Sequence, residues 1–244
     1  MRKYLFYLPV ILLCTGCRQH DIDIKKLPDK SPEELYKIGS KTKKTHDAVL
    51  AFEEIEKSYP YSNFVPDSQV EIGKCYFKMK KYEDAVSALD SFVMLNPTHA
   101  RVPEALYLLG CIYFAQMPIV KRDQENSVRA LEYFSELKNR YPNSEFVSDA
   151  YVKMKVLYQH LALHEFRVGM YYQKHKNFPA AISRYNTIIE SYPGTETAQE
   201  TYLRLIECYL SMDLRDEALV VNKVLQLKHK NTKWAEYATK TLRK

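Results

Sequence analysis

The chain has 244 residues, 46% of them apolar and 27% charged, ample for a packed core and unlike a disordered protein. Only 6 glycines, long apolar periods of 3.6 residues and no low-complexity tract argue against fibrous and all-β classes and for an all-α protein. The net charge of +6, or +4 once Arg2 and Lys3 leave with a signal peptide, reads as evenly spread, without the basic stripe that nucleic-acid binding needs.

Residues 1–16 read as an address rather than structure. Arg2 and Lys3 form a short basic region, and Tyr4 to Leu13 an apolar stretch too short to span a bilayer. Cys14-Thr15-Gly16-Cys17 then resembles a bacterial lipobox, in which the last Cys is acylated and becomes the mature N-terminus. Cys14 departs from that pattern, which has an aliphatic residue there, and the other reading is an ordinary secretory signal cleaved near Gly16. By resemblance to lipoprotein sorting, Arg18 in place of Asp permits transfer to the outer membrane. With Cys17, residues 18–30 are polar and aperiodic and read as a lipidated tether.

Ser31-Pro32-Glu33-Glu34 opens the first helix, with an N-cap Ser, Pro at the first position and two acids in the first turn. Five helix pairs follow: 31–44 with 45–59, 65–79 with 82–95, 102–115 with 126–141, about 145–176 with 178–192, and 195–211 with 214–227, then a capping helix over 232–242. Pro60, Pro97, Pro142 and Pro193 close the first four. Ala48, Ala85, Ala130, Ala181 and Ala218 mark the second helices at steps of 37, 45, 51 and 37 residues. The longer steps hold the loop 116–125 and an extended helix. Gly73, Gly110 and Gly169 sit inside first helices, where Gly costs about 1 kcal/mol relative to Ala, so close packing must require them. Tyr76, Tyr113, Tyr172 and Tyr209 stand at matching positions and are expected to fill the space within each pair.

This spacing is the tetratricopeptide pattern, and the expected fold is an all-α solenoid of about five such helix pairs. Helix pairs of this kind cannot bury their apolar faces alone and stack on one another, displaying a binding surface rather than a catalytic centre. Cys75, Cys111 and Cys208 read as small buried hydrophobes, since an odd number at packing positions is no disulfide framework.

No phosphate loop, nucleophile elbow or paired-Cys metal spacing occurs, so neither enzyme activity nor a cofactor is expected. His160 and His164 lie one helical turn apart, but Val168 stands where a zinc-protease motif requires His. They read as packed or surface histidines, with a disguised metal site as the enzyme-class rival.

Tyr59-Pro60-Tyr61-Ser62, Leu95-Asn96-Pro97-Thr98-His99, Tyr141-Pro142-Asn143-Ser144 and the run from Leu161 to Tyr172 resemble the BamD family of outer-membrane protein assembly lipoproteins. The resemblance covers about residues 31–230 and includes the irregular repeat steps; the stretch after about Leu227 does not align. It implies the periplasmic face of the outer membrane, a lipid anchor, and binding of unfolded outer-membrane β-barrel proteins. It also implies docking on a periplasmic POTRA domain of BamA, with other assembly lipoproteins as further partners. Repeats over 31–142 would receive substrate and residues 143–244 would face BamA, with Arg184 matching a family arginine at that contact. A peptide ending in an aromatic residue and a carboxylate suits aromatic pockets with a few donors. Tyr36, Asn63, Phe64, Tyr76, Pro97, Thr98 and His99 are the candidates, and packing or helix-stopping duty accounts for each equally well. The rival binding-class reading is another periplasmic repeat lipoprotein, such as a coordinator of cell-wall synthesis.

Overall fold

The computed structural model describes residues 27–243; the expected signal peptide, the expected acylation at Cys17 and most of the expected tether fall outside them. Among the described residues there are eleven helices. They are α1 (Pro32–Lys41), α2 (Thr45–Ser58), α3 (Phe64–Lys78), α4 (Tyr82–Leu95), α5 (Val102–Ala115), α6 (Glu125–Arg140), α7 (Val147–Lys174), α8 (Phe178–Ser191), α9 (Glu196–Ser211), α10 (Arg215–His229) and α11 (Lys233–Leu242). Each packs on the next, and α1, α3, α5, α7, α9 and α11 also touch in succession, so the pairs stack as a solenoid.

The N-terminal signal of α1 forms as expected: Glu34 N donates to Ser31 Oγ at 3.3 Å and Ser31 N to the Glu34 carboxylate at 3.1 Å. The helix stops at Lys41 instead of running to residue 44. After Ile38 there is no apolar residue to extend its buried face, and Thr42 turns extended. The long helix α7 starts at Val147, two residues late, because the turn closed by Val147 N on Ser144 O occupies its expected beginning. Helix α10 continues two residues beyond Leu227, to His229.

Two kinds of turn recur. Tyr59, Asn96, Tyr141 and Tyr192 end α2, α4, α6 and α8 with φ between −128° and −135° and ψ between 44° and 58°. Each precedes a proline, whose ring disfavours helical backbone in the residue before it. Within pairs, Lys80, Lys176 and Asp213 take left-handed φ near 60°. The next residue's N–H then reaches back to the carbonyl of Tyr76, Tyr172 or Tyr209 at 2.9–3.0 Å, closing the helix end. The tyrosine rings are only half-buried, so the positions expected to fill the pairs also supply the carbonyls that terminate their first helices.

The filling is done by a different set. A Cβ on Gly39, Gly73, Gly110 or Gly169 would lie 2.4–2.6 Å from Phe52, Leu89, Phe134 or Tyr185 respectively. Those partners stand four residues after the marker alanines, and all are essentially buried. In the fifth pair the volumes are exchanged: Ile206, fully buried, takes the glycine's place and Asn222 the large residue's. Cys75, Cys111 and Cys208 are free and buried as expected, and burial followed by Glu207 pushes the Cys208 thiol up to about 12.

The apolar core of α3–α6 continues into α7 as far as Leu157 and Tyr158. A second cluster begins at Ala162 and runs through α8 and α9. The even spread of charge fails at one end. Residues 218–244 carry seven basic side chains against Glu236 alone, a net +6 equal to that of the whole chain.

Candidate peptide-binding and docking sites

Tyr36 leaves α1 between two rings: it meets Phe52 edge-on at 5.5 Å and Phe64 at 5.4 Å between centroids. Phe64 is the first residue of α3, fixed there by Ser62 Oγ accepting from its N–H at 3.2 Å and by buried Ser68 donating to its carbonyl at 2.7 Å. Asn63 precedes it, exposed, and its side chain makes no capping bond. Burial raises the Tyr36 hydroxyl's pKa; Arg101 opposes this to a smaller degree, and Glu71 and Asp67 add to it. The aromatic step therefore borders an ionic cluster.

Arg101 is the centre of that cluster. Its Nε donates to Glu104 at 2.8 Å, Nη2 to Glu71 at 2.6 Å, and Nη1 to the Asp67 carbonyl at 3.1 Å and carboxylate at 3.4 Å. Lys74 bridges Glu71 at 3.0 Å and also pairs with Glu104. Burial alone would raise the Glu104 carboxyl, but hydrogen bonds from Arg101 and Lys74 reverse this and hold it below the usual range. Arg101 is correspondingly held further into its charged form, against its own burial, by Glu104 and Glu71. One step along, Tyr107 stacks on Phe146 at 5.1 Å and donates to Asp149, which Lys153 also contacts.

The loop candidates join this set at its edge. His99 Nδ1 accepts from the Arg101 N–H at 3.2 Å, and its ring stands edge-on to Phe92 at 5.4 Å. Pro97 and Thr98 are exposed, and the Pro97 carbonyl accepts from Tyr141 at 3.5 Å. Tyr36, Asn63, Phe64 and, through Arg101, His99 are thus one neighbourhood. Tyr76 lies apart from it. Its hydroxyl donates to Glu53 at 2.9 Å, in a groove of about 340 Å³ that also touches Gln69, Asp84 and Ser91. Burial, then the Glu53 bond, pushes its pKa to about 12.

Arg184 on α8 is 47% exposed and donates to Glu165 of α7 at 3.2 Å, so it is both held and reachable. The expected loop docks on α7, where His164 Nδ1 meets the Val120 carbonyl at 2.6 Å. Burial, then the neighbouring His164, lowers the His160 pKa. Among the described residues no three His, Cys, Asp or Glu side chains are grouped to hold a metal.

The sequence reading missed Arg101 and its acids. The pairs Arg101/Glu104 and Glu71/Lys74 are visible at i, i+3 spacing. Their union is not, because Arg101 reaches back 30 and 34 residues to find Glu71 and Asp67.

Residues 28–224 match the model of a family described as YfiO, outer membrane lipoprotein. Among curated proteins, the outer membrane protein assembly factor BamD of Rickettsia prowazekii is 32% identical over 126 residues, covering 52% of this chain and 50% of that protein. Its counterpart in Caulobacter vibrioides is 32% identical over 189 residues, 78% of this chain and 62% of that one. The chain thus spans between half and two thirds of the length of these two relatives. The protein of the same name from Neisseria gonorrhoeae is 28% identical over 242 residues, covering 93% and 91%.

Proposed function

The chain belongs to the YfiO family of outer-membrane lipoproteins, and from that premise we propose that it is a BamD-type assembly factor. It is then a non-enzymatic scaffold, held by an acylated Cys17 at the periplasmic face of the outer membrane. Residues 31–142 receive unfolded β-barrel proteins, and residues 143–244 dock on a POTRA domain of BamA and, with it, the rest of the assembly machinery.

The observation that carries this reading is the step formed by Tyr36 and Phe64, with the unengaged Asn63 amide beside it. A terminal aromatic residue of an extended peptide packs on the two rings, and its carboxylate accepts from Asn63. Aromatic pairs contribute about 0.5–1.5 kcal/mol beyond burial, so Phe64→Ala is expected to weaken such a peptide by roughly tenfold. Fluorescence anisotropy with a labelled peptide ending in phenylalanine measures this, with its C-terminally amidated form as the comparison. Tyr76→Phe, which removes only the bond to Glu53, leaves the affinity unchanged. Equal affinity for folded Phe64→Ala and Tyr36→Ala proteins would remove the step from the site.

For docking, Arg184→Glu is expected to reduce retention of BamA's periplasmic region on immobilised protein at least about tenfold, the effect of losing one charge-assisted contact. Stability should change by less than about 1 kcal/mol, because the Arg184–Glu165 pair is exposed on the arginine side. Glu165→Gln is the informative control: it frees the guanidinium and preserves retention. Full retention by a folded Arg184→Glu protein would exclude this residue from the contact.

A further inference from the structure

From the C-terminal helices we infer that α10 and α11 form a second membrane contact, a surface for anionic phospholipid headgroups separate from the Cys17 anchor. The net +6 of residues 218–244 is the first observation. Among the described residues, Lys228, Lys230, Lys233, Lys240 and Arg243 form no ion pair. Helix dipoles favour cations at the ends of α10 and α11, which accounts for Lys228, Lys230, Lys240 and Arg243. They do not account for Lys233, which stands at the first position of α11, where the dipole disfavours it.

The second observation is what Lys233 and its counterpart cover. Lys233 lies over the ring of Trp234 at 4.5 Å, and Lys240 over Tyr237 at 6.0 Å. The two rings meet edge-on at 6.1 Å. Trp234 is the chain's only tryptophan, and Tyr237 is 48% exposed. Ala235, Ala238 and Leu242 take the buried side of α11, Trp234 is half-buried at the edge of the same core, and Lys233, Tyr237 and Lys240 are exposed. On α10, Val220, Lys223 and Leu227 follow at i, i+3 and i+7, opposite buried Ala218 and Leu225; Val220 and Leu227 are 64% and 77% exposed. Aromatic rings with ammonium groups above them on one helix, and exposed aliphatic side chains with a lysine on its neighbour, are the composition of interfacial helices.

The occupant follows from charge and from chemistry together. An acidic protein surface would satisfy the lysines but not the outward aliphatic stripe, whereas a bilayer interface offers phosphates and acyl carbons at adjacent depths. No helix among the described residues is long and apolar enough to cross a membrane, so the contact is superficial. The match to the family model ends at residue 224, so α11 lies beyond it. The inference rests on family membership only in that a bilayer is at hand, and it does not depend on peptide binding or on Arg184.

Trp234 makes the test site-specific. The mature chain with Cys17→Ser, which carries no acyl group, is titrated with vesicles of phosphatidylethanolamine and phosphatidylglycerol while tryptophan emission is recorded. A blue shift is expected with these vesicles and none with pure phosphatidylcholine. Each basic residue near an anionic surface contributes about fivefold in affinity, so Lys233→Gln with Lys240→Gln should weaken binding about 30-fold. Circular dichroism checks that this exposed double variant stays folded. An unshifted emission with anionic vesicles overturns the inference, as does a shift that the double variant retains in full. A shift elicited by an acidic peptide but not by vesicles also overturns it, assigning the surface to a protein partner.

Discussion

Replacing Gly110 with isoleucine is expected to destabilise the protein by about 3 kcal/mol or more, and adding Phe134→Ala should recover much of that loss. The Cβ alone would lie 2.4 Å from Phe134 Cε1 and 2.6 Å from its Cδ1. Phe134 is fully buried and flanked by Tyr107, so its ring has nowhere to withdraw. Truncating Phe134 by itself costs about 3–5 kcal/mol through lost burial and a cavity. The two changes together exchange volume across one contact, as the fifth pair already does with Ile206 and Asn222. The double variant should therefore be more stable than either single one. Urea unfolding followed by circular dichroism measures all four proteins, and simple additivity would show that the glycine is not there to admit the ring.

The second large effect is at Arg101. Substituting alanine leaves Glu71 and Glu104 with Lys74 as their remaining partner and Asp67 with none from this cluster. A loss of about 2–3 kcal/mol is expected at neutral pH, less than for a fully buried pair because water reaches these side chains. The loss should depend on acidity. Glu104 has its pKa lowered in the folded protein, so it stabilises the fold above the ordinary carboxylate range, and that contribution disappears as pH falls through its folded value. Without Arg101, protonation instead relieves repulsion among the carboxylates. The gap between the parent and Arg101→Ala should therefore be widest near pH 7 and shrink below about pH 4.5. Unfolding at the two pH values checks it; a gap that grows in acid would refute the account.

How far the sequence could be read depended on where each signal is stored. Helices α4 and α5 end where expected because Pro97 and the apolar boundary residues Tyr82, Leu95, Val102 and Ala115 punctuate them locally. The end of α1 was less legible, since Lys41, Thr42, Lys43 and Lys44 are all compatible with a helix in isolation. Only the absence of a partner surface stops it there. The aromatic residues were visible as candidates, but their grouping was not: Tyr36 and Phe64 meet across two helices while Tyr76, equally conspicuous, faces Glu53 instead. Charge misled for a different reason. The average over 244 residues conceals that residues before 218 balance to zero.

Helix α7 has a consequence for how the molecule comes apart. Its 28 residues span about 42 Å, and its first half closes one apolar cluster while its second half opens another. Neither cluster shares a side chain with the other, and Tyr158 against Tyr192, at 6.1 Å between ring centroids, is the aromatic contact across their boundary. Among the described residues, two packed units therefore have one backbone element in common. A local opening at either end can proceed without loosening the opposite end until it reaches the turn between Tyr158 and Ala162. The same rod sets a fixed spacing between what the two units hold, as a ruler does, whatever either of them binds.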